Sequence, residues 1–214
     1  PNAGESTESL RKQLAEIVGR GTPVVTKGDP AAALSTAAKK IDAVYEVPFL
    51  AHAAMEPLNA TAWVQKDGAE LWLATQFADW NGGAAAGWLG LKPEQVKVNV
   101  TMLGGGFGRR ANPDFALEAV QVSKAVGAPV KVQWTREDDM QHDYYRPASL
   151  HSISAGVDGE GNVVAWHHRI AAPSIEVYLD PKAAKPGDSE TPGVEDMPYE
   201  VPNFRVDFAL ARSG

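Results

Sequence analysis

Four glycines fall within five positions at Gly104-Gly105-Gly106-Phe107-Gly108, and Arg109 and Arg110 follow at once. Glycine has no Cβ to hold a ligand away, so such a run leaves main-chain N–H groups open to close approach. Anionic or oxygen-rich groups suit a cradle of that kind, and the two guanidiniums add fixed positive charge. The run is not a dinucleotide fingerprint, because Gly104-x-Gly106 meets Arg109 where a third glycine is required. It is not a P-loop either, since no Gly-Lys-Ser/Thr follows. The plain alternative is a tight strand-to-helix turn, which needs neither four glycines nor two arginines.

Other chemistry-bearing residues are weaker. His52 and Glu56 are four apart, the spacing of two metal ligands on one helix face. Pro57 and the preceding strand-like residues point to the exit of a strand, so structural or interface packing is expected for the pair. A zinc hydrolase built on them would need a third ligand that the sequence does not offer. His167 and His168 are neighbours in a strand-like run and must point to opposite faces. His142 and His151 look isolated, and surface or hydrogen-bonded roles rather than catalysis are expected for them. Glu137-Asp138-Asp139 reads as a solvated turn rather than an acidic metal cluster. Asp158-x-Glu160-x-Asn162 has calcium-loop spacing without the later bidentate acid, and fits a hairpin turn. Ser149, Ser152 and Ser154 lack a nucleophile-elbow setting.

The glycine run needs elements to position it. Val96, Val98, Val100 and Met102 alternate with Lys97, Asn99 and Thr101, which predicts a strand over Val96–Leu103. Asn112-Pro113 opens a helix carrying Phe115, Ala119, Val122 and Val126 on one face, with Gly127 closing it, and Val130–Thr135 is the next strand. Upstream, a helix is predicted from Ser6 or Thr7 to Val18. A second starts at Asp29-Pro30 and carries Leu34, Ala37, Ala38 and Ile41. Strands are predicted over Ala43–Leu50, Thr61–Gln65 and Glu70–Thr75, and a short helix within Trp80–Leu91. Downstream, Leu150–Val157 and Asn162–Ile170 form a hairpin. A Pro/Gly/acid loop over Pro181–Met197 precedes a strand at Phe204–Leu210. Strands outnumber helices without strict alternation, so the fold class is α+β, with mixed sheets and packed helices.

Composition sets the outer limits. The 214 residues are 44% hydrophobic and 22% charged, enough for a sizeable core. No run approaches about 18 apolar residues, so no membrane span is expected. A net charge of −7 argues against a nucleic-acid surface. With no cysteine, the chain can hold neither a disulfide nor an iron–sulfur cluster of its own. The sequence opens on Pro1 and ends on Arg212-Ser213-Gly214 after an apolar run, so both ends read as cuts from a longer or processed chain.

Five segments in order resemble the large subunit of the molybdenum hydroxylases, the xanthine oxidase family. Gly104-Gly105-Gly106-Phe107-Gly108 is similar to that family's cofactor loop. His52-Ala53-Ala54-Met55-Glu56-Pro57 resembles its H-x-x-M/L-E-P segment, and Ala74-Thr75-Gln76 its S/A-T-Q segment, with Gln76 31 residues before Phe107. Thr135-Arg136-Glu137-Asp138-Asp139-Met140 and Tyr199-Glu200-Val201-Pro202-Asn203 match later landmarks. The Gly-Phe-Gly-Arg-Arg ending and the Met-Glu-Pro-Leu wording look most like the isoquinoline 1-oxidoreductase beta subunit and bacterial aldehyde oxidoreductase branch. The likeness spans about residues 40–212.

The resemblance implies that residues 1–214 are one molybdopterin-binding half domain of a longer chain, with 1–28 a helical extension. It implies a share in a site for molybdenum bound to molybdopterin cytosine dinucleotide, completed by the remainder of the same large subunit. Gln76 and Phe107 are the implied catalytic positions. Gln76, Gly105, Gly106, Phe107, Gly108, Arg109 and Arg110 are the implied cofactor contacts, with no direct metal ligand. Arg109 and Arg110 are placed to neutralise phosphate or to pair with a partner. The implied reaction is hydroxylation of an N-heterocycle or aldehyde with oxygen from water. Electrons would leave through 2Fe-2S clusters on an iron–sulfur small subunit, and the glutamate general base would lie outside this chain. Ala111 stands where the purine-oxidising branch has glutamate, so xanthine-type recognition is not implied. The compartment stays open, the resemblance favouring the periplasm over the cytoplasm. The competing reading is a non-catalytic module that binds an anion at the glycine loop or docks a redox partner.

Overall fold

The structure is a computed structural model and describes residues 4–182, 185, 187 and 189–212. The chain comprises two compact units, one formed by residues 1–50 with 147–214 and the other by residues 51–146.

The first unit is built on a five-stranded mixed sheet. Its strands are β1 (Thr22–Lys27), β2 (Lys39–Val47), β7 (Ser149–Val157), β8 (Val163–Ala172) and β9 (Asn203–Leu210), in the order β1-β9-β8-β7-β2. Only β8 and β9 run parallel. Helix α1 (Thr7–Ile17) begins at a Ser6 capping box and buries Leu14 against Leu150, Ala171, Ala209 and Ala211 on one face of the sheet. Ile170, Phe204, Val206 and Phe208 alternate with those residues and pack on the other face beneath Val194, Met197 and Val201. Helix α2 (Pro30–Thr36) starts at Asp29, whose carboxylate accepts from the Ala32 N–H, and α6 (Ile175–Leu179) follows β8.

Several expectations for this unit are corrected. The second helix stops at Thr36, because Ala37 is extended and the chain then pairs over nine residues with β7. Ile41 therefore lies in a strand, not on a helix face. Residues 22–27, placed within a helical extension by the sequence reading, form β1 and pair with β9. His151 is not isolated: its Nδ1 lies 2.9 Å from His168 Nε2, and Ser149 Oγ is 2.9 Å from its other nitrogen. His167 does point to the opposite face, onto Asp207 at 2.7 Å. The loop expected over Pro181–Met197 consists of turns where described, with residues 183, 184, 186 and 188 outside the described set.

The second unit carries the glycine run. Its sheet consists of β3 (Asn59–Val64), β4 (Ala69–Leu73), β5 (Val96–Val100) and β6 (Val130–Gln133), ordered β5-β4-β3-β6. Helices α3 (Ala78–Leu89) and α4 (Asp114–Val126) join Leu58, Ala60, Ala62, Leu71 and Leu73 of the sheet side in one core. They contribute Ala85, Ala86, Phe115, Ala116, Ala119 and Val120. Both helices end at a glycine in the left-handed region, Gly90 and Gly127.

Strand direction decides what meets at one edge of this sheet. Strands β4 and β5 are parallel, so their carboxyl ends lie side by side, with Leu73 opposite Val100. Strands β3 and β6 pair antiparallel with Asn59 opposite Gln133, so the start of β3 and the end of β6 reach the same edge. Four segments emerge there: 51–58, 74–77, 101–113 and 134–146. The carboxyl edge of parallel strands is where open α/β sheets place ligands.

Candidate cofactor site

The glycine loop leaves β5 earlier than its alternation suggests. Strand pairing stops at Val100, and the Thr101 N–H donates to the Leu73 carbonyl at 2.8 Å. Gly105 and Gly108 adopt φ of 102° and 101°, where L side chains are strained. Phe107 adopts φ 54° although it has a side chain, and that side chain is 66% exposed. Such strain in a bulky residue persists only where its surroundings impose it, and it concentrates at ligand sites.

Those surroundings come from the three neighbouring segments. The Gly104 N–H donates to Glu56 Oε2 at 2.9 Å, and the Glu56 N–H donates to the Gly104 carbonyl at 3.2 Å. Arg110 is completely buried. It donates from Nε to the Gly105 carbonyl at 2.9 Å and from its terminal nitrogens to the carbonyls of Ala74 at 3.2 Å and Glu56 at 2.7 Å. The same guanidinium pairs with the Glu56 carboxylate at 3.0 Å. Burial opposes charge on Glu56. The hydrogen bonds from Asn59 and Gly104 and the Arg110 charge outweigh it and hold the carboxyl below its ordinary range. One arginine thus ties together the 104–106 loop, the residue before Thr75 and the His52–Pro57 segment.

Gln76 lies against this loop. Its Oε1 accepts from the Gly108 N–H at 2.9 Å, and its own N–H donates to the Arg110 carbonyl at 3.3 Å. That bond fixes the amide orientation and turns Nε2 outward as a donor without a partner among the described residues. Gly106 is the point of closest approach: a Cβ there would sit 2.4 Å from Gln76 Oε1. The N–H groups of Gly105, Gly106 and Phe107 also lack an acceptor among the described residues, although Gly106 is buried. Beneath them Asn81, fully buried, donates to Thr75 Oγ1 and to the carbonyls of Phe77 and Ala111, which joins α3 to both segments.

Two expectations are corrected here. Arg109 and Arg110 are not outward-facing cations; their side chains are 3% and 1% exposed. Arg109 forms a bidentate pair with Asp114 at 2.9 and 2.6 Å, and lies 3.0 Å from Asp143. Its guanidinium stacks over Tyr144 and Trp134, 4.9 and 5.5 Å from their ring centres. The turn expected at Glu137-Asp138-Asp139 is the first turn of a helix, α5 (Arg136–Gln141), capped by Thr135; Glu137 and Asp138 are solvated as expected, whereas Asp139 is buried. His52 is held by packing and hydrogen bonding, its N–H and ring each bonded to the Asp143 carboxylate.

Sequence reasoning missed the braces. Arg136 holds the carbonyls of Ala54 and Met55 while pairing with Asp139, and Asp143 holds both His52 and Arg109. Thr135-Arg136-Glu137-Asp138 carries a capping-box pattern that foretells α5. Asp143 has no local signal, since its partners are 91 and 34 residues away in sequence.

The uncommitted groups are three main-chain N–H donors and one carboxamide NH2, all suited to oxygen-bearing ligand atoms. Among the described residues no group of three or more His, Cys, Asp or Glu could hold a metal ion. A glycine cradle with unspent donors at the strand ends of a mixed sheet defines a cofactor-binding module. The chain belongs to the molybdopterin cofactor-binding domain family, whose model matches residues 13–213.

Among curated proteins it is similar to the isoquinoline 1-oxidoreductase subunit beta of Brevundimonas diminuta. They are 35% identical over 176 residues, covering 80% of this chain and 22% of that protein. The aldehyde oxidoreductase molybdenum-binding subunit PaoC of Escherichia coli K12 is 34% identical over 168 residues, covering 78% and 23%. The chain thus spans about a fifth of these relatives' length. In fold it is similar to the aldehyde oxidoreductase of Desulfovibrio gigas, with a TM-score of 0.70 and 22% identity over 87% of this chain and 20% of that one. Quinoline 2-oxidoreductase of Pseudomonas putida 86 gives a TM-score of 0.60 over 72% and 20% at 22% identity.

Proposed function

We propose that this chain is part of the catalytic subunit of a molybdenum hydroxylase. It would supply one wall of the site for molybdenum bound to molybdopterin cytosine dinucleotide. The remainder of the subunit would complete the site, and an iron–sulfur small subunit carrying 2Fe-2S clusters would take the electrons. When bound, the cofactor would supply the two-electron chemistry that hydroxylates an N-heterocycle or aldehyde with oxygen from water. The observation that carries the reading is the convergence of the Gln76 carboxamide with the Gly105–Gly108 main chain. Gln76 would donate from Nε2 to an oxygen ligand of the metal, and the N–H groups of Gly105, Gly106 and Phe107 would donate to cofactor oxygens. Phe107 would cover the cofactor and keep water from its flank. Arg109 and Arg110 act from behind as positioning residues that hold the loop open. With one wall only, the chain by itself is expected to be inactive.

The test is Gln76→Ala in the full-length subunit purified with its iron–sulfur partner. Turnover is expected to fall about 10²-fold with the fold intact, the scale for removing one preorganised donor. Turnover unchanged at equal cofactor content would refute the proposed role and favour the non-catalytic anion-binding or redox-partner docking module.

A further inference from the structure

Two side chains on the flank of the glycine loop also keep unspent nitrogens. A Cβ placed on Gly108 would have Arg146 Nη1 at 3.9 Å and His52 Nε2 at 4.0 Å as its nearest neighbours. The space beside this glycine is therefore open, and one nitrogen from each of two segments borders it. The His52 side chain is only 7% exposed, and its Nδ1 and main-chain N–H both meet the Asp143 carboxylate. Asp143 thus fixes the ring and leaves Nε2 toward the loop, without a partner among the described residues. Arg146 is exposed and has no ion pair or hydrogen bond among the described residues. The neighbouring acids are already spent: Asp114 and Asp143 bind Arg109, and Glu56 binds Arg110.

We propose that His52 and Arg146 form an oxyanion-binding subsite beside Gly108, for a carboxylate or phosphate group. Arginine offers a planar fork of donors and no acceptor, which suits two oxygens of one anionic group. The imidazole meets such a group as a donor when charged, or accepts from a ligand O–H when neutral. Arg146 repels a cation, and an apolar group would strand both nitrogens. An exposed arginine alone would not make a site; the buried nitrogen of His52 bordering the same glycine does. The positive charge sought at Arg109 and Arg110, both of which turn inward, is carried here by Arg146. One ligand chemistry then has two sources, a phosphate of the cofactor and a carboxylate of the substrate. The choice between those sources rests on the cofactor reading, and the subsite itself does not.

The test is calorimetric titration of inorganic phosphate, and separately of acetate, into the full-length subunit with its iron–sulfur partner, both loaded with and free of cofactor. The wild type is expected to bind at least one anion. Arg146→Gln is expected to weaken binding about tenfold or more, the scale of a lost charge-assisted hydrogen bond, with Arg146→Lys between the two. Arg146 is exposed, so an unchanged urea midpoint separates lost binding from misfolding. Lys66→Gln, in the turn between β3 and β4 at the opposite edge of the sheet, is expected to leave binding unchanged. Uptake confined to the cofactor-free form would assign the subsite to the cofactor's own phosphate, and uptake by the loaded form to a substrate carboxylate; either supports it. No uptake by either form, Arg146→Gln binding within about twofold of wild type, or an equal loss in Lys66→Gln would overturn the proposal. A protein without molybdenum or pterin would refute the cofactor reading and leave this titration to succeed or fail by itself.

Discussion

Replacing Gly106 by alanine changes one methyl group where the structure leaves no room for it. The residue's φ is not in the left-handed region, so alanine can adopt its backbone conformation, but the Cβ would fall 2.4 Å from Gln76 Oε1 and 2.7 Å from its Cδ. Gln76 is exposed and can swing aside, so the clash is relieved by losing the bond from the Gly108 N–H. That bond is worth about 1 kcal/mol net, while glycine-to-alanine replacement at a compatible site returns about 0.4–1 kcal/mol through the unfolded chain. Stability should therefore change by less than about 1 kcal/mol. Activity should not be spared, because the carboxamide would be displaced by more than an ångström, a misplacement that costs on the order of 10²-fold. The assay is turnover of the full-length complex alongside urea unfolding, for Gly106→Ala, Gln76→Ala and the double variant. Since both single changes act on the same carboxamide, the double variant should be no worse than Gln76→Ala. Additive losses, or destabilisation by more than about 3 kcal/mol, would refute the reasoning, the latter on the scale of a lost buried ion pair.

Two further predictions follow from the buried charges. Arg110→Met would strand three carbonyls and the Glu56 carboxylate, and should cost about 3 kcal/mol by summing lost bonds, seen as a lowered urea midpoint; Arg110→Lys should recover less than half of it, because a single ammonium cannot reach all three carbonyls. Burial, reinforced by the neighbouring His151 and His167, pushes His168 down to about 4, below the ordinary value near 6.5. Its depressed basicity means the folded chain binds fewer protons than the unfolded chain, so this stability is complete above about pH 6.5 and is lost as pH falls toward 4. The loss is at most about 3 kcal/mol, and His168→Gln should flatten that limb of a urea-midpoint profile; parallel curves for wild type and variant would contradict it.

The β5–glycine loop–α4–β6 unit was legible because its signals are local: strict alternation from Val96, a proline at the helix entry and Gly127 in the left-handed region at its exit. The approach of Gln76 to the loop was legible only through the resemblance, since nothing in spacing alone brings residues 31 apart together. Sequence reasoning misjudged the arginines because a sequence shows charge but not its direction. Next to a glycine cradle an outward role was the natural reading, whereas Asp114, Asp143, Glu56 and a set of carbonyls turn both inward. Helix α2 was overextended because alanine-rich residues favour helix until pairing with β7, more than a hundred residues away, overrides the local preference. Strand β1 is short, exposed and interrupted by Pro23, so it carries almost no periodic signal.

The most direct measurement is molybdenum and pterin analysis of the full-length protein purified with its iron–sulfur partner, with the nucleotide released from the cofactor identified. Stoichiometric molybdenum with a pterin and cytosine nucleotide is the predicted result, and Gln76→Ala should retain the metal while losing turnover. A correctly folded complex with no molybdenum and no pterin would contradict the account.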